Sequence, residues 1–512
     1  MGDLPRARLT LALLALAAAC SGESGGRAAR VATAIAPRPA PAADAPAPAV
    51  DAPTDATARL APAPARPRWL AIGGGSLPES NQVSIEQDLA LAITRFGPDG
   101  LTLFAGGPGS RAVQVLDDDA DADPLRRELA ALFSPRGGRD ARYRETELLV
   151  HGPATRRSTL AAIEAAIAED GPSLLLYFAG HGERGDGPAD NYVALWGQSL
   201  VTVRDLAAVL DDARRPVRLV MTTCFSGGFG ELAFAAADPA RGLPDAPRCG
   251  LFATTWDLEA SGCDPDPDRR AQEGYGLHFL NALAGRDRDG APLERSALDL
   301  DGDGQISPLE AHARTRVAAR GFGVPTTTSE RWLRQHAPAA GPERDVALPE
   351  EEAVIAALSR ELGEGDEAAA LAALEELEGA IATTERLLEQ ASAREEERYR
   401  QAAAGLLHRW PVLDDPWHPD FEDELVRGRE AITRHLAEDP EVAAHRAAQA
   451  EVDRLQGQVD ALRRQATRNE RLVRALETRA LARRLAARGG PAWEGYERLL
   501  ACERAPFTAR AR

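Results

Sequence analysis

The sequence contains no lysine, so all 60 of its basic residues are arginine. Schiff-base chemistry and a lysine general base are thereby excluded. Positive charge as a whole is in deficit: 79 aspartates and glutamates give a formal net charge of −19. That balance repels phosphates and argues against nucleic acid as a partner. The apolar run at the N-terminus, Leu9 to Ala19, is too short for a lasting membrane helix. Cysteine is scarce, with five in 512 residues, so each can be weighed by position. At this length the chain can hold more than one domain and a sizeable core.

What is present at the N-terminus sets an expected compartment. Arg6 and Arg8 precede the apolar run, and small residues lead directly to Cys20, the layout of a secretory signal over residues 1–20. Its end, Leu-Ala-Ala-Ala-Cys, resembles a bacterial lipoprotein signal. The resemblance implies a lipidated Cys20, anchorage to a membrane through that lipid, and a periplasmic or outer-membrane, cell-surface location. Residues 21–67 are rich in Ala and Pro, with too little apolar mass to fold, and read as an extended tether. Folded structure is expected from Arg68-Trp69 onward.

Two buried-strand patterns then end in reactive side chains. "LLLYFAGHGE" (Leu174–Glu183) follows a Gly-Pro turn and stops at His181, held between glycines. "PVRLVMTTCFSGG" (Pro216–Gly228) stops at Cys224 and a Ser-Gly-Gly turn. Between them lie a hairpin-like run and "VRDLAAVLDDA", whose Leu206, Val209 and Leu210 make a helical face. Strand, crossover helix, strand predicts two parallel strands whose C-terminal ends share one edge of a sheet, the edge where ligands bind in open α/β folds. A thiol needs an imidazole neighbour to act as a nucleophile at neutral pH. His181 and Cys224 are therefore the candidate catalytic pair, and Gly182, with no side chain, can bring its N–H against a substrate carbonyl. A buried structural thiol is the competing reading for Cys224.

"YFAGHG" and "TTCFSGG" resemble the histidine and cysteine blocks of caspase-like (clan CD) cysteine peptidases. "LFATTWDLEASGCD" (Leu251–Asp264) and "GYGLHFLNAL" (Gly274–Leu283) are similar to the legumain-type C13 branch. The resemblance spans roughly residues 68–330. It implies an α/β fold, a mostly parallel sheet flanked by helices, and an endopeptidase acting on protein or peptide substrates. No cofactor is needed for that chemistry. It also implies Thr255 and Ser261 as pocket residues and, in the loop after the first strand, Asn81 as the group that orients His181. The family's basic pocket residues are replaced here by Ser84 and Ile85, so its preference for Asn or Asp before the cut does not carry over. A transpeptidase using the same acyl-enzyme and an idle scaffold working through its tail are the alternatives.

"DLDGDGQISPLE" matches the EF-hand calcium loop (299–310) position by position. Asp299, Asp301, Asp303, Gln305 and Glu310 are the expected ligands of a structural Ca²⁺. Ser307-Pro308-Leu309-Glu310 is equally a capping-box helix start. The α/β domain is expected over 68–335, followed by a linker over 336–350. Residues 351–495 carry heptad seams (Leu374–Leu388 and Val452–Ala480) around a Pro- and Trp-containing turn, and predict an antiparallel helical hairpin or a coiled coil that self-associates. Residues 496–512 are a tail. His408, His418, His435 and His445 read as surface histidines, and the hairpin reads as removable without loss of the catalytic domain. Of the remaining cysteines, Cys249, Cys263 and Cys502, an oxidising envelope permits a Cys249–Cys263 bridge, although spacing does not decide the pairing.

Overall fold

The computed structural model describes residues 66–116, 123–133 and 141–507, together with residue 64. The expected signal, Cys20 and nearly all of the tether lie outside these residues. In chain order, the first elements are β1 (Trp69–Gly74), α1 (Val83–Phe96), β2 (Gly100–Phe104), β3 (Arg111–Leu116), α2 (Pro124–Phe133), β4 (Ala141–Glu145), α3 (Arg156–Ile167) and β5 (Leu174–Gly180). A short β6 (Gly182–Glu183) leads to the hairpin of β7 (Tyr192–Leu195) and β8 (Ser199–Thr202). Then come α4 (Val203–Leu210), β9 (Val217–Met221), β10 (Arg248–Phe252), α5 (Tyr275–Leu283), α6 (Pro308–Ala318), β11 (Thr326–Thr327) and α7 (Thr328–His336).

Six strands form one sheet in the order β11-β10-β9-β5-β1-β2, parallel except where β11 meets β10. Burial on both faces explains why β5 is apolar without alternation: all seven of its residues are buried. Its side chains divide by parity. Leu175, Tyr177 and Ala179 face one layer with Phe96 and Phe279, whereas Leu174, Leu176 and Phe178 face the other with Ile163, Leu206 and Leu210. The α/β architecture and mostly parallel sheet expected from the sequence are thus present.

The C-terminal region is helical: α8 (Pro349–Leu362), α9 (Glu367–Arg409), α10 (Phe421–Glu438), α11 (Pro440–Arg488) and α12 (Pro491–Arg504). α9 and α11 run antiparallel, with Glu385 against Arg463 at 2.6 Å and Arg398 against Glu441 at 3.4 Å. This hairpin does not stand apart from the domain. Its end near residue 440 packs on α2, where Leu125 and Leu129 meet Leu406, Phe421 and Leu425. The other half of α11 enters the α/β domain beside α6, α7 and α8. Arg471, fully buried, donates to the carbonyls of Arg316, Ala319, Gly321 and Gly323.

Two expectations need correction. Cys249 is bonded to Cys502 and Cys263 is free. Cys249 sits at the start of β10 against α12, whereas Cys263 lies beyond the strand's other end, and a strand rising about 3.3 Å per residue keeps them apart. His435 and His445 are buried, at 7% and 2% exposure, because the hairpin closes over them. Asp439 lies 3.3 Å from the first and Glu395 3.5 Å from the second. His408 is exposed and His418 half-exposed, as expected. Among the described residues no helix is long and apolar enough to cross a membrane.

Candidate active site

β5 and β9 are neighbours in register, Leu174 beside Val217 through Phe178 beside Met221. His181 and Cys224 each follow three residues beyond the Phe178–Met221 pair, so both project from the same edge of adjacent strands. Contact between the two strand ends is tight. A Cβ on Gly182 would stand 2.1 Å from the Cys224 carbonyl oxygen, so only glycine fits. In the β6–β7 ladder the Ala194 N–H donates to the His181 carbonyl, which puts Gly182 at a non-hydrogen-bonded position with its N–H turned away from β7.

The Cys224 thiol is buried, and its Sγ lies 3.3 Å from both the backbone N–H and the carbonyl of Ala260. The next residue, Phe225, holds a left-handed backbone at φ 55°, a strained conformation for a bulky side chain. Asn191 keeps it there. Buried on the hairpin side, Asn191 donates from Nδ2 to the carbonyls of Phe225 at 2.9 Å and Trp256 at 2.7 Å. Nothing in the sequence had marked Asn191, because its partners are 34 and 65 residues away.

His181 Nε2 lies 2.8 Å from the Ser80 carbonyl and 3.0 Å from Gln82 Oε1. Both partners accept, so Nε2 carries the proton and Nδ1 is the basic nitrogen. Asn81, the expected orienting residue, does something else. Its Oδ1 accepts from Gly75 N–H and its Nδ2 donates to the Ala112 carbonyl, stapling the loop after β1 to β3. A 3₁₀ turn over Pro78–Ser80 rotates the loop so that the residues on either side of Asn81 face the imidazole.

Beside the two strand ends lies a small recess of about 10 Å³, room for one water, lined by Ile85, Asp88, Gly180, Thr222, Ser261 and Cys263, among others. Ser261 lines it, its Oγ accepting from Phe322 N–H at 3.1 Å. Thr255 does not line it, and its hydroxyl donates locally to Asp257 at 2.8 Å. Two residues before Ser261, burial raises the Glu259 carboxyl, with Arg463 of α11 opposing and Glu183 adding to the rise.

In the acidic loop Asp299, Asp301 and Asp303 bring carboxylate oxygens within 4.8 Å of one another. Gly304 N–H donates to Asp299 Oδ2, while Asp299 Oδ1 is buried without a hydrogen-bond partner, an acceptor a hard cation would satisfy. Glu310 does not join this cluster. Its oxygens accept from the N–H groups of Leu300 (2.5 Å), Asp301 (3.2 Å) and Ser307 (2.7 Å), the last being half of the capping box. Gln305 donates its own N–H to Asp303. Arg295, 3.3 Å from Asp299 Oδ2, competes for the same charge. The residues fit a cation through the three aspartates and not through Glu310 as placed.

Searched against protein-family models and curated proteins, the chain matches none.

Proposed function

We propose that the chain is a cysteine endopeptidase of the caspase-like, legumain-resembling class. The observation that carries this reading is the equal overhang of His181 and Cys224 on adjacent parallel strands. His181 Nδ1 takes the Cys224 thiol proton as Sγ attacks the scissile carbonyl carbon, and gives that proton to the departing amine as the C–N bond breaks. The N–H groups of Gly182 and Cys224 are the candidate donors to the developing oxyanion. Water then adds to the thioester and the acid leaves, restoring the thiol. Ser80 and Gln82 hold the ring so that Nδ1, not Nε2, exchanges the proton. In this proposal the acidic loop holds a structural Ca²⁺ that braces the entry to α6, and a lipid on Cys20 keeps the enzyme at the cell envelope.

A peptidyl acyloxymethyl ketone, which alkylates activated cysteine, tests the chemistry. Native protein is expected to be labelled at Cys224. Cys224→Ala and His181→Ala are each expected to lose about 10³-fold or more in peptide turnover with the fold retained. Near-native turnover by folded Cys224→Ala refutes the assignment.

A further inference from the structure

Resting on that peptidase reading, we propose that Asn191 is a positioning residue for the reaction: its single carboxamide fixes the distance between the Gly182 and Cys224 N–H groups that receive the oxyanion. The two donors stand on different loops. Gly182 follows β5 and is paired with β7, whereas Cys224 follows β9. Where the loops meet, the missing side chain of Gly182 lets it close on the Cys224 carbonyl, a contact that limits their approach but does not hold them together.

Asn191 supplies the hold. A 3₁₀ turn over Pro188–Asp190 delivers it to the start of β7, where it is 1% exposed. Its Oδ1 accepts at 3.0 Å from the N–H of Gly185, three residues after Gly182. Its Nδ2 donates to the carbonyl of Phe225, the residue after Cys224, and to that of Trp256, on the segment whose Ala260 N–H lies 3.3 Å from Sγ. An N–H can only donate and a carbonyl can only accept, so one orientation of the amide serves all three. Gly228 leaves room for it: a Cβ there would stand 2.6 Å from Nδ2. The histidine loop, the cysteine loop and the segment against the thiol thus meet on one planar group. The Phe225 carbonyl also accepts from Gly228 N–H at 3.1 Å, within its own turn, and stays satisfied without the amide. What the amide adds is the link between loops, and oxyanion donors act only when both lie at hydrogen-bond distance from the developing charge.

The test uses the full chain and the peptide that the native protein cleaves best. Asn191→Asp keeps the shape and the acceptor but loses both donated bonds; Asn191→Ala lets water bridge the three partners. Each folded variant is expected to lose about 10²-fold in kcat, with KM within about 3-fold of native. A peptidyl aldehyde of the same sequence, to whose carbonyl the Cys224 thiol adds, forms a tetrahedral hemithioacetal that uses the oxyanion donors, so its Ki is expected to rise about 10²-fold. Alkylation of Cys224 by iodoacetamide develops no oxyanion there, and its rate is expected to stay within about 3-fold of native. A kcat and aldehyde Ki within about 3-fold of native, or an alkylation rate that falls as far as turnover does, overturns the proposal and leaves the peptidase reading standing. Failure of both variants to fold does the same, making Asn191 a folding residue. No turnover by the native protein, with no probe labelling of Cys224, defeats the peptidase reading and this inference with it.

Discussion

Replacing Arg471 with Met measures how far the helical region is part of the catalytic fold. Among the described residues the Arg471 guanidinium makes no carboxylate contact; it is held by four backbone carbonyls, with Nε to Gly323 at 2.8 Å and Nη1 to Ala319 at 2.6 Å. Burial pushes its pKa down to about 9, so the cation is held at some cost. Methionine fills much of the stem's volume and removes that cost, but leaves the four carbonyls without donors. At about 1 kcal/mol each, the lower end for an orphaned buried acceptor, the loss is about 4 kcal/mol. Chemical denaturation followed by tryptophan fluorescence reads it directly, since Trp332 is buried beside α12. The strap from Ala319 to Gly323 also carries Phe322, whose N–H holds Ser261 in the recess, so KM is expected to rise along with the loss of stability. A loss below about 1 kcal/mol, with KM unchanged, would show that the strap holds itself and that α11 merely rests on it. The same reasoning reverses the sequence-based expectation for truncation. Removing residues 350–512 takes away Arg471, Arg474 and Cys502 together, and the remaining chain is expected not to fold.

Two further outcomes follow from charge. Burial pushes Glu503 up to about 7 against hydrogen bonds from Thr328 and Ser329, so folding favours its protonated form. The stability this contributes is complete below the unfolded value of 4.5 and is lost as pH rises through about 7. Glu503→Gln should therefore melt above the native protein at pH 8 and level with it at pH 4.5; an equal gap at both would mean that Glu503 does not titrate on folding. In the acidic loop, Ca²⁺ should raise the melting temperature in proportion to the logarithm of its concentration, and Asp301→Ala should lose most of that response. Indifference to both ion and chelator would leave the loop as a helix cap alone.

The strand ends were legible because an unbroken apolar run has few uses besides a doubly covered strand, and a glycine-flanked His or Cys at its end leaves little choice of place. Long heptad seams made α9 and α11 legible for a similar reason. Asn81 was misassigned by one residue because a 3₁₀ turn changes which side chain faces inward without changing composition. Asp88 reads as an ordinary acidic position on an amphipathic helix, and its partner Arg269 is 181 residues away. Arg471 sits within a heptad seam, where arginine signals a solvated flank. Its burial depends on glycines of another element giving up their carbonyls, a condition invisible to periodicity. Cys502 is 253 residues from Cys249, beyond any spacing rule.

That last bond makes a closed ring of everything between its two cysteines. A single backbone cut anywhere from residue 250 to residue 501, whether in the acidic loop, the linker or the hairpin tip, yields two fragments that remain one covalent molecule. On a gel the nick shows only after reduction. Activity lost on such cleavage in oxidising buffer therefore reports a change of geometry at the site and not departure of the helical region. Activity lost only after a thiol is added reports the departure itself.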